Sequence, residues 1–124
     1  VKNFKFLFSV VLSCISGCCP DLETACEDIA VARCERVWNC GLSAPPGTVE
    51  ECIADSKEKC MTNTSLLGVE ITACELQACA TEISGAACNV EPSCAFSAGS
   101  LLSGSACELN TQCASGHCKV GFCD

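Results

Sequence analysis

Residues 26–60 read CEDIAVARCERVWNCGLSAPPGTVEECIADSKEKC. Cys26 and Cys34 stand eight positions apart, and so do Cys52 and Cys60. Leu22, Cys26, Ile29, Ala30, Cys34, Val37 and Cys40 recur at helical spacing, which predicts a first helix from about Asp21 to Cys40. Thr24 to Glu27 has the form of a capping box, and Asp21 offers an alternative cap one turn earlier. Gly41 is a stop, and Ala44-Pro45-Pro46-Gly47 is a linker. A second capping box, Thr48 to Glu51, opens a helix predicted to reach about Met61, with Thr62 to Ser65 as loop. Val49, Cys52, Ile53, Ser56 and Cys60 share one face of it, while Asp55 and Lys59 are ordered for an i,i+4 ion pair on the other. Eight residues of helix rise about 12 Å. Two antiparallel helices with matched spacing can therefore be joined twice, Cys26 to Cys60 and Cys34 to Cys52, with Cys19, Cys40, Cys74 and Cys79 as competitors.

A third helix is expected over about Val69 to Ile83, ending at Gly85, with Ile71, Cys74, Ala78 and Cys79 facing the others. This arrangement resembles the twin-cysteine helical hairpins, with seven residues between the paired cysteines where those families usually have nine. After Gly85 the helical pattern stops, and residues 86–106 are a connecting region rich in Ser, Gly and Ala. Residues 107–124 carry Cys107, Cys113, Cys118 and Cys123, with Gly116 and Gly121 at turn positions. Short spacings favour local closure, so these four are expected to pair among themselves as a mini-domain. Of the three local pairings the interleaved one, Cys107 to Cys118 and Cys113 to Cys123, best locks a hairpin with almost no core. The rival is a bridge back to Cys88 or Cys94. The spacing Cys-x5-Cys-x4-Cys-x4-Cys, with Ser115-Gly116 before the third Cys, resembles the Dickkopf N-terminal cysteine-rich region. Similar tails occur on cysteine-rich exported bacterial proteins.

Upstream of the helices, residues 1–17 have the form of an export signal. Lys2 and Lys5 give a basic start, and Phe6 to Ile15 form an apolar stretch too short to span a bilayer, which takes about 20 apolar residues. Ile15-Ser16-Gly17-Cys18 resembles the lipobox of bacterial lipoproteins. That resemblance implies cleavage before Cys18 and lipid on its sulfur and amine. Val11-Leu12-Ser13-Cys14 matches less well, because Leu12 is bulky where a small residue is preferred. Parity agrees with Cys18. Of 16 cysteines, 15 follow the cleavage point, and lipidation of Cys18 leaves 14, an even number that can all pair. Ordinary signal-peptidase cleavage is the alternative.

Composition bounds the rest. Cleavage before Cys18 removes Lys2 and Lys5 and no acid, leaving 5 Lys plus Arg against 15 Asp plus Glu and a net charge of −10. Nucleic acid and anionic surfaces need clustered Lys and Arg, so neither is an expected partner. Large apolar residues are sparse after Cys18, and bridges typically worth about 2–4 kcal/mol each compensate for a thin core. Such bridges form in an oxidising compartment. No Cys-x2-Cys pair is present, which argues against zinc and against thioredoxin-like redox work; neither metal nor cofactor is expected. The phospholipase A2 class needs Cys-Cys-x-x-His-Asp, but His117 is followed by Cys118. His117, the only histidine, reads as a turn residue with no nucleophile or acid to place beside it. The acid pairs Glu27-Asp28 and Glu50-Glu51 suit first helical turns. Trp38 reads as core, and Asn63-Thr64-Ser65 as a chance sequon.

The expectation is a small disulfide-rich, mainly α chain: about three helices stapled by disulfides, then a cysteine-rich hairpin tail. Its expected organisation is signal peptide 1–17, helical region 18–85, connector 86–106 and mini-domain 107–124. The expected role is a non-catalytic interaction module at the outer membrane or cell surface. It would be held to the membrane through Cys18 and bind a protein or envelope partner that the sequence does not name. The alternative is a freely secreted effector or inhibitor, periplasmic or extracellular.

Overall fold

In the computed structural model, which describes residues 19–124, each helix opens where a side-chain oxygen accepts a backbone N–H. Asp21 takes Thr24 N–H at 2.8 Å and starts α1 (Leu22–Asn39). The earlier of the two predicted caps is therefore the one used. Thr48 and Glu51 form the expected reciprocal box and start α2 (Val49–Thr64). This helix runs through the segment expected to be loop from Thr62. The Thr64 hydroxyl donates to the Cys60 carbonyl at 2.7 Å, and the Ser65 hydroxyl donates to that of Met61 at 2.6 Å. Both hydroxyls thus fold back onto the last turns of the helix, which keeps residues 62–64 helical.

The third helix corrects the prediction at its start. α3 (Ala73–Gly85) begins four residues after Val69, at a box made by Thr72 and Glu75. Gly68 turns the chain at φ +86, and Val69 to Ile71 reach Thr72 without helix. Ile71 packs on the core from this segment rather than from a helical face. Of the other residues expected to face inward, Cys79 is buried while Cys74 and Ala78 are exposed. Leu76, Ala80 and Ile83 take the inner face instead.

The core lies between α1 and α3. Ala25, Cys26, Ile29 and Ala32 of the first helix meet Leu76, Cys79, Ala80 and Ile83 of the third. Alanines at three of these eight positions let the two helices approach closely, and only Ile29, Leu76 and Ile83 are large aliphatics. Trp38 is half-buried and stands outside this cluster, so it is not the core residue expected. By contrast, α2 contributes no buried residue. Lys57 tethers it to α1 through Glu23 at 3.1 Å and Glu27 at 3.2 Å, and Asp55 pairs with Lys59 at 2.8 Å on its outer side.

The tail holds a 3-10 turn (Asn110–Gln112) and an antiparallel hairpin of β1 (Cys118–Lys119) and β2 (Phe122–Cys123). Lys119 pairs with Phe122, which leaves Val120 and Gly121 as a two-residue loop with φ +50 and +81. Two positive φ values give the loop the twist a tight hairpin favours, though a β-branched residue adopts one only at a cost of about 1–2 kcal/mol. Gly104 N–H donates to the Cys123 carbonyl, Cys123 N–H to that of Ser105 and Cys107 N–H to that of Gly121, which lays a third extended segment along β2. Cys107, Cys113 and Cys123 form a second buried cluster.

Candidate functional site

Seven disulfides organise residues 19–124, and every cysteine in that range belongs to one. Cys26 pairs with Cys60 and Cys34 with Cys52, the two bridges that the matched spacing predicts between α1 and α2. Cys107 pairs with Cys118 and Cys113 with Cys123, the interleaved arrangement, so Cys88 and Cys94 are not partners of the tail. The competitors resolve as long-range bridges: Cys19 to Cys74, Cys40 to Cys88 and Cys79 to Cys94. Paired Cα atoms lie 5.1 to 6.0 Å apart, inside the range a disulfide spans without moving the backbone. Cys88 and Cys94 tie the connecting region to the end of α1 and to α3, so the cross-links extend past the last helix to residue 94. This chemistry belongs to an oxidising compartment. No helix among the described residues is long and apolar enough to cross a membrane.

Cys14 and Cys18, together with the export segment, lie outside the described residues. The first described residue, Cys19, is already bridged. Cys107, Cys113 and Cys118 bring three sulfurs within 4.8 Å of one another, the spacing of a metal site. They cluster because two bridges cross there, and a disulfide sulfur is not the thiolate that zinc binding needs. His117 is exposed in a turn, its N–H bonded to the Ser115 hydroxyl at 3.2 Å and its carbonyl accepting Asp124 N–H at 3.0 Å.

The tail is fastened to the body by one buried polar side chain. Gln112 is 5% exposed, and its amide oxygen accepts Glu108 N–H at 2.6 Å and Leu109 N–H at 2.8 Å. Its amide nitrogen donates to the Leu67 carbonyl at 2.9 Å. Beside it, Ser100 N–H reaches the Gly68 carbonyl, and Leu101 N–H reaches that of Gln112. Gly99 lies against the Gln112 backbone, where a Cβ would collide. Covalently self-contained, the tail is nevertheless docked. Sequence reasoning missed this contact, because its acceptor is a backbone carbonyl 45 residues upstream.

The basic side chains are almost all committed. Arg36 donates to the carbonyls of Ala86, Ala87, Cys88 and Val90 and so clamps the segment that follows α3. Lys57, Lys59 and Lys119 are in ion pairs. Arg33 has no ion pair or hydrogen-bond partner among the described residues. It lines two clefts. One, of about 490 Å³, also holds Arg36 and Glu91 over Val37, Ile83 and Pro92. The other, of about 360 Å³, lies where the body meets the tail, with Ile71, Leu76 and Phe96 among its walls and Asn63 and Thr111 beside them.

Carboxylates serve as structure elsewhere. The Ser97 hydroxyl, the Thr72 N–H and the Ser97 N–H at 2.8 Å hold Glu75 below the ordinary carboxylate range, against a small opposing effect of burial. Hydrogen bonds from Thr24 lower Asp21. Asp28 is raised, first by burial and then by Glu27 beside it. Compared with known proteins, the chain matches no protein family, no curated protein and no solved structure.

Proposed function

We propose that this chain is a non-catalytic interaction module, exported and held at a membrane surface by lipid on Cys18. One observation carries the reading: the fourteen cysteines of residues 19–124 are paired among themselves, and the pairing starts at Cys19. No described bridge calls on Cys18, which is the cysteine that the lipobox resemblance selects for acylation. Three acyl chains anchor stably where one alone is marginal. The cross-linked body would then begin one residue beyond the anchor. A rigid, acidic, bridge-stabilised surface suits recognition of a partner in the envelope or outside the cell. The committed roles of Glu75, Asp21 and His117 in capping and turns support a non-catalytic reading.

The test is Cys18→Ala in a bacterial host. The wild-type product should enter the detergent phase with an intact mass raised by three acyl chains. The variant should lose both the added mass and the partitioning. Unchanged processing and partitioning would overturn the anchor and favour the freely secreted alternative.

A further inference from the structure

The 360 Å³ cleft at the junction of body and tail has an unusual charge for this chain. Fifteen acids are distributed over the sequence, yet none of them lines this cleft. Its one charged lining residue is Arg33, the cation with no partner among the described residues. The larger neighbouring cleft differs on this point, since Glu91 stands in it and would repel an anion. Ile71, Leu76 and Phe96 supply an apolar wall, and Leu76 belongs to the core itself, so the cleft reaches down to packed structure. The Asn63 side-chain amide and the Thr111 hydroxyl also line the cleft and make no hydrogen bond among the described residues, so polar donors share its wall with the guanidinium. Small-molecule sites share this make-up: a concave apolar surface of a few hundred Å³ with a few convergent polar groups. A guanidinium is suited to a carboxylate, which it can grip through two parallel N–H bonds.

We propose that this cleft binds a small amphipathic monocarboxylate, its carboxylate on Arg33 and its apolar body against Ile71, Leu76 and Phe96. The strongly acidic surface would repel polyanions, and a single carboxylate with an apolar chain meets the least opposition. The site is built from both the body and the docked tail, so it exists only while Gln112 holds the two together. It does not depend on an anchor at Cys18, and its failure would leave that reading untouched.

The experiment titrates the oxidised full chain with decanoate, decanol and decylamine, followed by amide ¹H–¹⁵N shifts. Saturable changes should centre on Asn63, Ile71, Phe96 and Thr111 with decanoate. Decanol should bind about tenfold more weakly, the scale of one charge-assisted contact, and decylamine more weakly still. Arg33→Gln should bring decanoate down to the decanol level and leave decanol unchanged, while Arg33→Lys should retain part of the preference. A parallel titration with N-acetyl-Leu-Phe separates a peptide C-terminus from an acyl acid by which of the two binds more tightly. Absence of saturable shifts at these residues, or equal binding of decanoate to wild type and Arg33→Gln, would overturn the proposal.

Discussion

The first helix has two neighbours and is joined to each by a different kind of bond. Against α3 it buries Ile29, Leu76 and Ile83 with alanines between them, and no disulfide links these two helices directly. Against α2 no residue of the partner is fully buried, although Cys60 and Met61 pack on the core, and the contact is held by two disulfides and the Lys57 ion pairs. Burial of apolar area stabilises the folded state, at roughly 25 cal/mol per Å². Cross-links act chiefly by restricting the unfolded chain. One small body thus uses both strategies side by side.

Removing both hairpin bridges should separate the two strategies most strongly. Replacing Cys26, Cys34, Cys52 and Cys60 by Ala removes two cross-links worth together about 4–8 kcal/mol. Hydrogen exchange should then show the amides of residues 49–64 losing protection while residues 73–85 retain more of theirs. Simultaneous loss in both helices would mean that α2 is integral to the core and that the contrast is false.

A smaller effect is expected from the other side of the comparison. Ile29 is 2% exposed, and Ile29→Ala should cost about 2–5 kcal/mol through lost burial and a residual cavity. Ile53 is half-buried on α2, and Ile53→Ala should cost under about 1 kcal/mol. Denaturant unfolding of the oxidised proteins measures the difference. Equal costs would place the apolar stabilisation on both interfaces.

The smallest effect is a pH dependence at the start of α3. A carboxyl held below its ordinary value contributes stability above that value, 4.5 for Glu75, and loses it as pH falls through the folded value. The protection factor of the Ser97 amide, corrected for intrinsic exchange at each pH, should therefore fall on acidification below 4.5, and Glu75→Gln should flatten the profile. Asp28 acts in the opposite sense, because its raised folded value favours the protonated form. An unchanged profile in Glu75→Gln would show that this carboxylate is not the group holding the segment.

What could be read in the sequence was local. Thr48 and Glu51 announce their helix because both halves of the box lie within four residues. The two hairpin bridges were legible because equal spacing on two helices constrains their register. Thr72 and Glu75 carry the same signal, but Val69 and Ile71 extend the apolar period upstream beyond the true start and mask it. Cys19 with Cys74 and Cys40 with Cys88 obey no spacing rule, as their partners meet only after the helices have packed. The cleft was invisible for the same reason. Arg33, Phe96 and Thr111 lie far apart in the chain, and nothing local marks Arg33 as the cation left over once Lys57, Lys59, Lys119 and Arg36 have found partners.

The overlap of the bridges also determines how the protein responds to a protease. Cys19–Cys74, Cys40–Cys88 and Cys79–Cys94 overlap in series, so a single peptide cut anywhere from Cys19 to Cys94 leaves both fragments joined through sulfur. The interleaved tail pairs do the same from Cys107 to Cys123. Between Cys94 and Cys107 no disulfide crosses the chain, and one nick there removes every covalent connection between body and tail. Non-covalent contacts, the hydrogen bonds of Ser100, Leu101 and Gln112 among them, then hold the two pieces together. The same stretch separates a chain that tolerates damage as a whole from one that can lose its tail, and with the tail one wall of its cleft.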